Sequence, residues 1–154
     1  MGAEYSNNAV QTVNPGESVI FTNSPVPCNR GLVRHRDDTG NFLLAGKVHR
    51  SSCGCCPQSA NYLVDFGANI AIPEGGTVGQ ISLAIVLDGG TIPTTEMIVT
   101  PAAVEQYFNV SDATIAQVWR GCCETLSVRN TSDQPILVQN ANIIFDRPDL
   151  NVTY

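Results

Sequence analysis

Six cysteines are the residues of this 154-residue chain whose type and spacing bear most directly on chemistry. They fall as Cys28, then Cys53-Gly-Cys55-Cys56, then Cys122-Cys123. A zinc site usually takes two ligands two to four residues apart plus a second such pair or histidines. The spacings within Cys53 to Cys56 are shorter than that. A tetrahedral zinc set would therefore have to draw on Cys28, His49 or the Cys122-Cys123 pair, brought alongside by the fold. Disulfides linking the Cys53 to Cys56 loop to Cys28 or to the Cys122 pair, or linking two subunits, would use the same residues, and the even count allows them in an oxidising compartment. Free thiols in a loop of small residues are the third arrangement. Spacing alone leaves all three open.

Catalytic signatures are absent from the rest of the sequence. A thiol nucleophile would need His35 or His49 and a third orienting group, and nothing in the sequence fixes such a geometry. Asp37, Asp38, Asp88 and Asp133 sit at turn signals, where aspartate caps its own backbone. Asp65 and Glu96 lie on strand-like runs as isolated acids and do not make a glycosidase pair. Gly75-Gly76 and Gly89-Gly90 lack the Lys-Ser/Thr and following helix of a phosphate loop, and read as turns. No enzyme and no obligatory cofactor are expected.

Charge narrows the partners. Fourteen acidic residues against eight lysines and arginines leave a formal charge of -6, which disfavours nucleic acid and anionic membranes. The cations nevertheless gather at Arg30, Arg34, Arg36, Lys47 and Arg50, with His35 and His49 among them. Pairing with Asp37, Asp38 and nearby acids is the plain reading of this cluster, and a phosphate or polyanion site is the sharper one. His35, between two arginines, reads as a surface or interface residue. Charged residues make up only 14% of the chain, so its surface must be built from Asn, Thr, Ser and Gln or be covered by partners. The first residues carry no basic or apolar leader pattern and no run is long enough to span a bilayer, so neither export nor membrane insertion is expected.

The elements that must position these residues are strands. Residues 61–72 and 78–87 form the central pair, joined by Pro73-Glu-Gly-Gly-Thr77, and Ile81, Leu83, Ile85 and Leu87 alternate onto one face. Ahead of them, residues 1–8 read as a polar arm and residues 9–13 and 18–22 as two strands around Asn14-Pro-Gly. Residues 31–36 and 41–45 form a hairpin about Asp37-Asp-Thr-Gly40. After the pair come an extended run at 91–100, a helix-like or single-turn stretch at 101–108, alternation at 114–119, and strands at 124–129 and 136–145. Many short strands with Gly, Pro, Asn and Asp between them predict an all-β sandwich of two antiparallel sheets, with 148–154 as a tail. Phe66, Leu83, Ile85, Trp119, Leu126, Val128 and Ile144 are the expected core.

These runs carry a family likeness. Gly40-Asn-Phe-Leu-Leu-Ala-Gly46, Asn61-Tyr-Leu-Val-Asp-Phe66, Gly79-Gln-Ile-Ser-Leu-Ala-Ile-Val-Leu-Asp-Gly-Gly-Thr-Ile-Pro93, and the stretches 121–130 and 134–145 resemble the jelly-roll domains of the tumour necrosis factor and complement C1q superfamily. The likeness covers residues 9–147 and is greatest to bacterial and phage versions on surface filaments and virions. It implies a tight homotrimer whose outer faces engage receptors, glycans or other structural proteins. Tyr62 would then pack the core or the axis, with Phe66, Ile81, Leu83, Ile85 and Trp119 as core or interface positions. The expected role is structural, as a capsid decoration, head fibre or spike on a virion. A carbohydrate- or receptor-binding head on a bacterial cell or spore surface is the alternative, with Tyr5, Tyr107 and Tyr154 as its candidate aromatics.

Overall fold

The computed structural model describes residues 2–28, 30–48, 58–121 and 123–150. Twelve strands follow in chain order: β1 Gly2–Asn7, β2 Gln11–Val13, β3 Asn23–Val26, β4 Val33–His35, β5 Phe42–Ala45, β6 Ser59–Ala71, β7 Ile81–Leu87, β8 Gly90–Thr91, β9 Met97–Val99, β10 Phe108–Trp119, β11 Cys123–Asn130 and β12 Ile136–Asp146. They form two six-stranded antiparallel sheets. One runs β10-β6-β12-β1-β3 with β2 on β12, and the other runs β4-β5-β11-β7-β8 with β9 on β7. Alternation decides what lies between the sheets, because successive side chains on a strand point to opposite faces. In β6, Ala60, Tyr62, Val64, Phe66, Ala68 and Ile70 point inward and are all buried. From the opposite sheet Phe42, Leu44, Ile81, Leu83, Ile85, Leu126 and Val128 complete the core.

An aromatic cluster sits at its centre. Phe42 lies 5.3 Å from Phe21, 5.0 Å from Tyr5 and 4.9 Å from Phe145, mostly edge-on or tilted, the arrangement that aromatic quadrupoles favour. His35 packs against this cluster while one side of it stays at the surface, where it lines a depression. Its ring stacks on Phe42 at 4.6 Å and its Nε2 lies 2.9 Å from the Thr39 carbonyl oxygen. The alternation of β4 explains the placement, since turning Arg34 to solvent turns His35 inward.

Several expectations from the sequence are corrected. The polar arm is a strand: β1 lies between β12 and β3, pairs from Gly2 opposite Asp146 to Asn7 opposite Ala141, and buries Ala3 and Tyr5. The turn at Asn14 to Glu17 exists, but its flanks part company. Residues 11–13 pair with β12, whereas Ser18 bridges to Arg129 in the other sheet. The central pair is likewise split, with β6 in one sheet and β7 in the other. The 101–108 stretch is bends and turns, with Glu105 at φ 56° donating its N–H to Ile72 O and Phe108 already opening β10. The tail begins instead as a short 3-10 turn, Pro148–Leu150, preceded by the fully buried Arg147.

Two expected core residues lie outside the core. Trp119 is 58% exposed and Ile144 39% exposed. On β10 the inward positions are held by Val110, Ala116 and Val118, so the larger Ile115 and Trp119 must point the other way.

The tightest steric constraint lies where the sheets meet. A Cβ on Gly40 would overlap the Val19 carbonyl oxygen and stand 2.5 Å from Ser18 Cβ. Only glycine fits at the end of the Asp37 to Gly40 turn.

Candidate functional site

The outer face of the first sheet gathers the exposed apolar side chains. Ile115 on β10 lies directly opposite Leu63 on β6, and one row along Asp65 lies opposite both Ala113 and Ile144. Ile115 is 64% exposed and Leu63 42%, with Trp119 farther along the same side of β10. Asn61, Leu63, Ile115 and Pro148 line a depression of about 110 Å³ there. Around this centre the face is polar, with Gln117 donating to Ser59 and Asn109 to Asn69 across the strands, and it carries acids on the β12 side, where Asp146 lies opposite Leu63 and Glu4 opposite Ile144. β10 is also the edge of its sheet. It is twelve residues long, and Asp112 is its only charged residue. Long edges with few charges invite pairing with another chain, and natural proteins usually cover them.

A second constellation ties one end of the sandwich together. Tyr62 is fully buried, and its hydroxyl donates toward Ala45 O at 2.6 Å and Leu32 O at 3.1 Å, linking the first sheet to the second. Above its ring, 4.9 Å from the centroid, lies the Arg147 guanidinium. Arg147 donates from Nε to Asp149 Oδ1 at 2.9 Å and from its second terminal nitrogen to Oδ2 at 2.7 Å, a bidentate clamp that holds the 3-10 turn. Burial opposes the charge on Arg147, but Asp149 and Tyr62 outweigh it and raise its pKa. Burial likewise raises the Tyr62 phenol, with Arg147 pulling the other way. Among the described residues Arg147 Nη1 and His35 Nδ1, both buried, find no hydrogen-bond partner. This constellation was missed in the sequence. Its one signal is Arg147-Pro-Asp149 directly after an apolar strand.

The cysteine candidates are only partly placed. Cys28 is half-buried and Cys123 exposed on β11 opposite Ala45. His49, Cys53, Cys55, Cys56 and Cys122 lie outside the described residues, as does Tyr154. Burial pushes the Cys28 thiol up, but backbone N–H groups of Val33, Arg30, Leu32 and Gly31 aimed at it prevail and lower its pKa. Among the described residues no group of three or more His, Cys, Asp or Glu is placed to hold a metal ion. Phe66, Ile81, Leu83 and Ile85 are core, whereas Trp119 is a surface residue of the apolar face. Tyr5 is buried in the aromatic cluster and is no glycan platform, and Tyr107 is exposed. Among the described residues no helix is long and apolar enough to cross a membrane.

No protein-family model and no curated protein sequence matches the chain. Solved structures do. The globular domain of zebrafish complement 1qA superposes with a TM-score of 0.60 at 12% identity, covering 94% of this chain and 92% of that one. Eiger TNF from S. frugiperda gives 0.65 at 11% identity over 94% and 90%. Murine APRIL gives 0.62 at 10% identity over 95% and 99%. The fold is the TNF/C1q-like jelly roll. At these identities the agreement is one of architecture.

Proposed function

We propose that this jelly roll is a non-enzymatic structural protein that associates with copies of itself, as a trimer, through the outer face of β10, β6 and β12. The observation that carries the reading is Ile115, Leu63, Trp119 and Ile144 standing exposed together on a face bordered by a long edge strand with a single charge. Apolar area contributes about 25 cal/mol per Å² when removed from water, so covering such a patch favours association. The low charge of the chain supports the same reading, because a surface short of ions is one that partners cover. We place the assembly on a larger surface, such as a virion, on the strength of the sequence likeness to phage and bacterial surface domains.

The test is native mass spectrometry of the full chain beside Ile115→Asp and Trp119→Ser. The expected result is a threefold mass for the unaltered protein and a monomer for Ile115→Asp, with the same β-type circular dichroism. A monomeric unaltered protein at micromolar concentration would overturn the proposal.

A further inference from the structure

The cations clustered in the sequence between residues 30 and 50 have a definite place in the fold. Arg34 points outward from β4, opposite Leu43 on β5, which in turn lies opposite Thr125 on β11. Two depressions meet there. One, of about 180 Å³, is lined by Arg34, Leu43, Ala45 and Lys47 among others. The other, of about 330 Å³, is lined by Arg34, Arg36, Leu43 and Thr125 among others. Arg34 and Leu43 belong to both, so the two adjoin on the outer face of the second sheet. Among the described residues no Asp or Glu lines either one.

The plain reading of the cluster, pairing with Asp37 and Asp38, is not what the fold does. The ion pair found among the described residues is Arg147 with Asp149, and Arg34, Arg36 and Lys47 are exposed without one. In a chain of net charge -6, an uncompensated row of cations is a local inversion of the protein's field. The row also has a direction. Arg34 and Arg36 are two residues apart, roughly 7 Å at strand rise per residue, and Lys47 stands two residues past the end of β5 on the other side of Arg34.

β4 adds the second half of the argument. It is the terminal strand of its sheet, so among the described residues no strand covers its far side. Arginines at an edge repel basic strands and make pairing with neutral ones costly by desolvation, but they select for an acidic one. An extended peptide with carboxylates at every second residue repeats at the same roughly 7 Å, and can lay apolar groups on Leu43 and Ala45. The one aromatic ring among the described residues lining it, His35, is already stacked on Phe42, which leaves no free platform for nucleic-acid bases.

From this we infer that the outer face of β4, β5 and β11 is a docking groove for an extended acidic segment of a partner protein. The groove lies on the sheet opposite to the proposed assembly face, so it does not depend on that assembly.

The test is fluorescence anisotropy of the full chain with a labelled peptide alternating glutamate and threonine, against the same peptide with glutamine. The glutamate peptide is expected to bind about tenfold more tightly or better, to weaken with added salt, and to lose about tenfold in an Arg34→Glu, Arg36→Glu double variant. Lys47→Glu serves as an independent variant should the double one not fold, with circular dichroism as the check. Equal binding of the two peptides, no saturable binding, or binding indifferent to these substitutions would overturn the inference. Binding of a sulfated polysaccharide with no binding of the peptide would also overturn it, assigning the groove to a glycan. The mass measured for the assembly should not change in these variants, which separates this result from the fate of the assembly proposal.

Discussion

Tyr62→Phe removes one oxygen from the most constrained polar contact between the sheets. The phenol has a single proton facing two carbonyl oxygens, Ala45 O at 2.6 Å and Leu32 O at 3.1 Å. Leu32 O also accepts from Ala45 N at 2.9 Å, so it keeps a partner when the hydroxyl is gone. The net loss is therefore one buried hydrogen bond, about 1 to 2 kcal/mol. For a chain of this length that lowers Tm by about 2 to 8 °C. The ring and its contact with Arg147 survive the change, so the larger cost of about 3 to 5 kcal/mol belongs only to Tyr62→Ala. Thermal melts at one fixed protein concentration, which holds any assembly contribution constant, compare the three proteins. A Tm left unchanged by Tyr62→Phe would refute the reasoning, because it would mean that the hydroxyl does not bridge the sheets.

Three further outcomes follow from the geometry. Gly40→Ala should cost about 3 kcal/mol or more, since its Cβ must displace the Val19 backbone carbonyl as well as Ser18 Cβ, and urea unfolding reads the shift. Glu124 has its pKa raised by burial and then by Asp88, so the stability it contributes is complete below the ordinary carboxylate value and is lost as pH rises through the folded one. Glu124→Gln should thus gain on the unaltered protein at neutral pH and show no gain at pH 3, in urea unfolding at both. Cys28, with its pKa lowered, should be alkylated by iodoacetamide with a pH midpoint below that of an ordinary thiol, read by peptide mass spectrometry. A midpoint at or above the ordinary value would contradict the backbone N–H arrangement around it.

The fold class was legible because its signals are local. The hairpin about Asp37 to Gly40 and the strands expected over 61–72 and 78–87 are found as β4 and β5, β6 and β7, although β7 is buried on both faces where alternation gave it a small, mixed second face. Alternation, however, says that two faces exist without saying which is inside. On β10 the partner β6 fixes the answer. Register sets Ala116 opposite the buried Tyr62, and that sends Ile115 and Trp119 out despite their size. β1 was hidden because its outward positions, Glu4 and Ser6, are polar, and because Asn7 is buried by bonding to Ile20 O and Ala9 N. Such satisfaction of a polar side chain by distant backbone leaves no trace in composition. Arg147 was illegible for the same reason, since a lone arginine reveals a ring beneath it only once β6 and β12 are side by side.

The pairing of β1 with β12 also sets the order of events during synthesis. The first strand made has as its long partner the last one made, with roughly 140 residues between them. At the usual pace of elongation that gap lasts about 7 to 30 s. Until then β1 has only the short β3 to pair with, and β6 lacks the strand that will separate it from β1. Closure of the first sheet thus waits until β12 has been made. A nascent chain halted before residue 136 presents unpaired strands to its neighbours, and copies growing close together on one message would meet at those open edges before any one of them is whole.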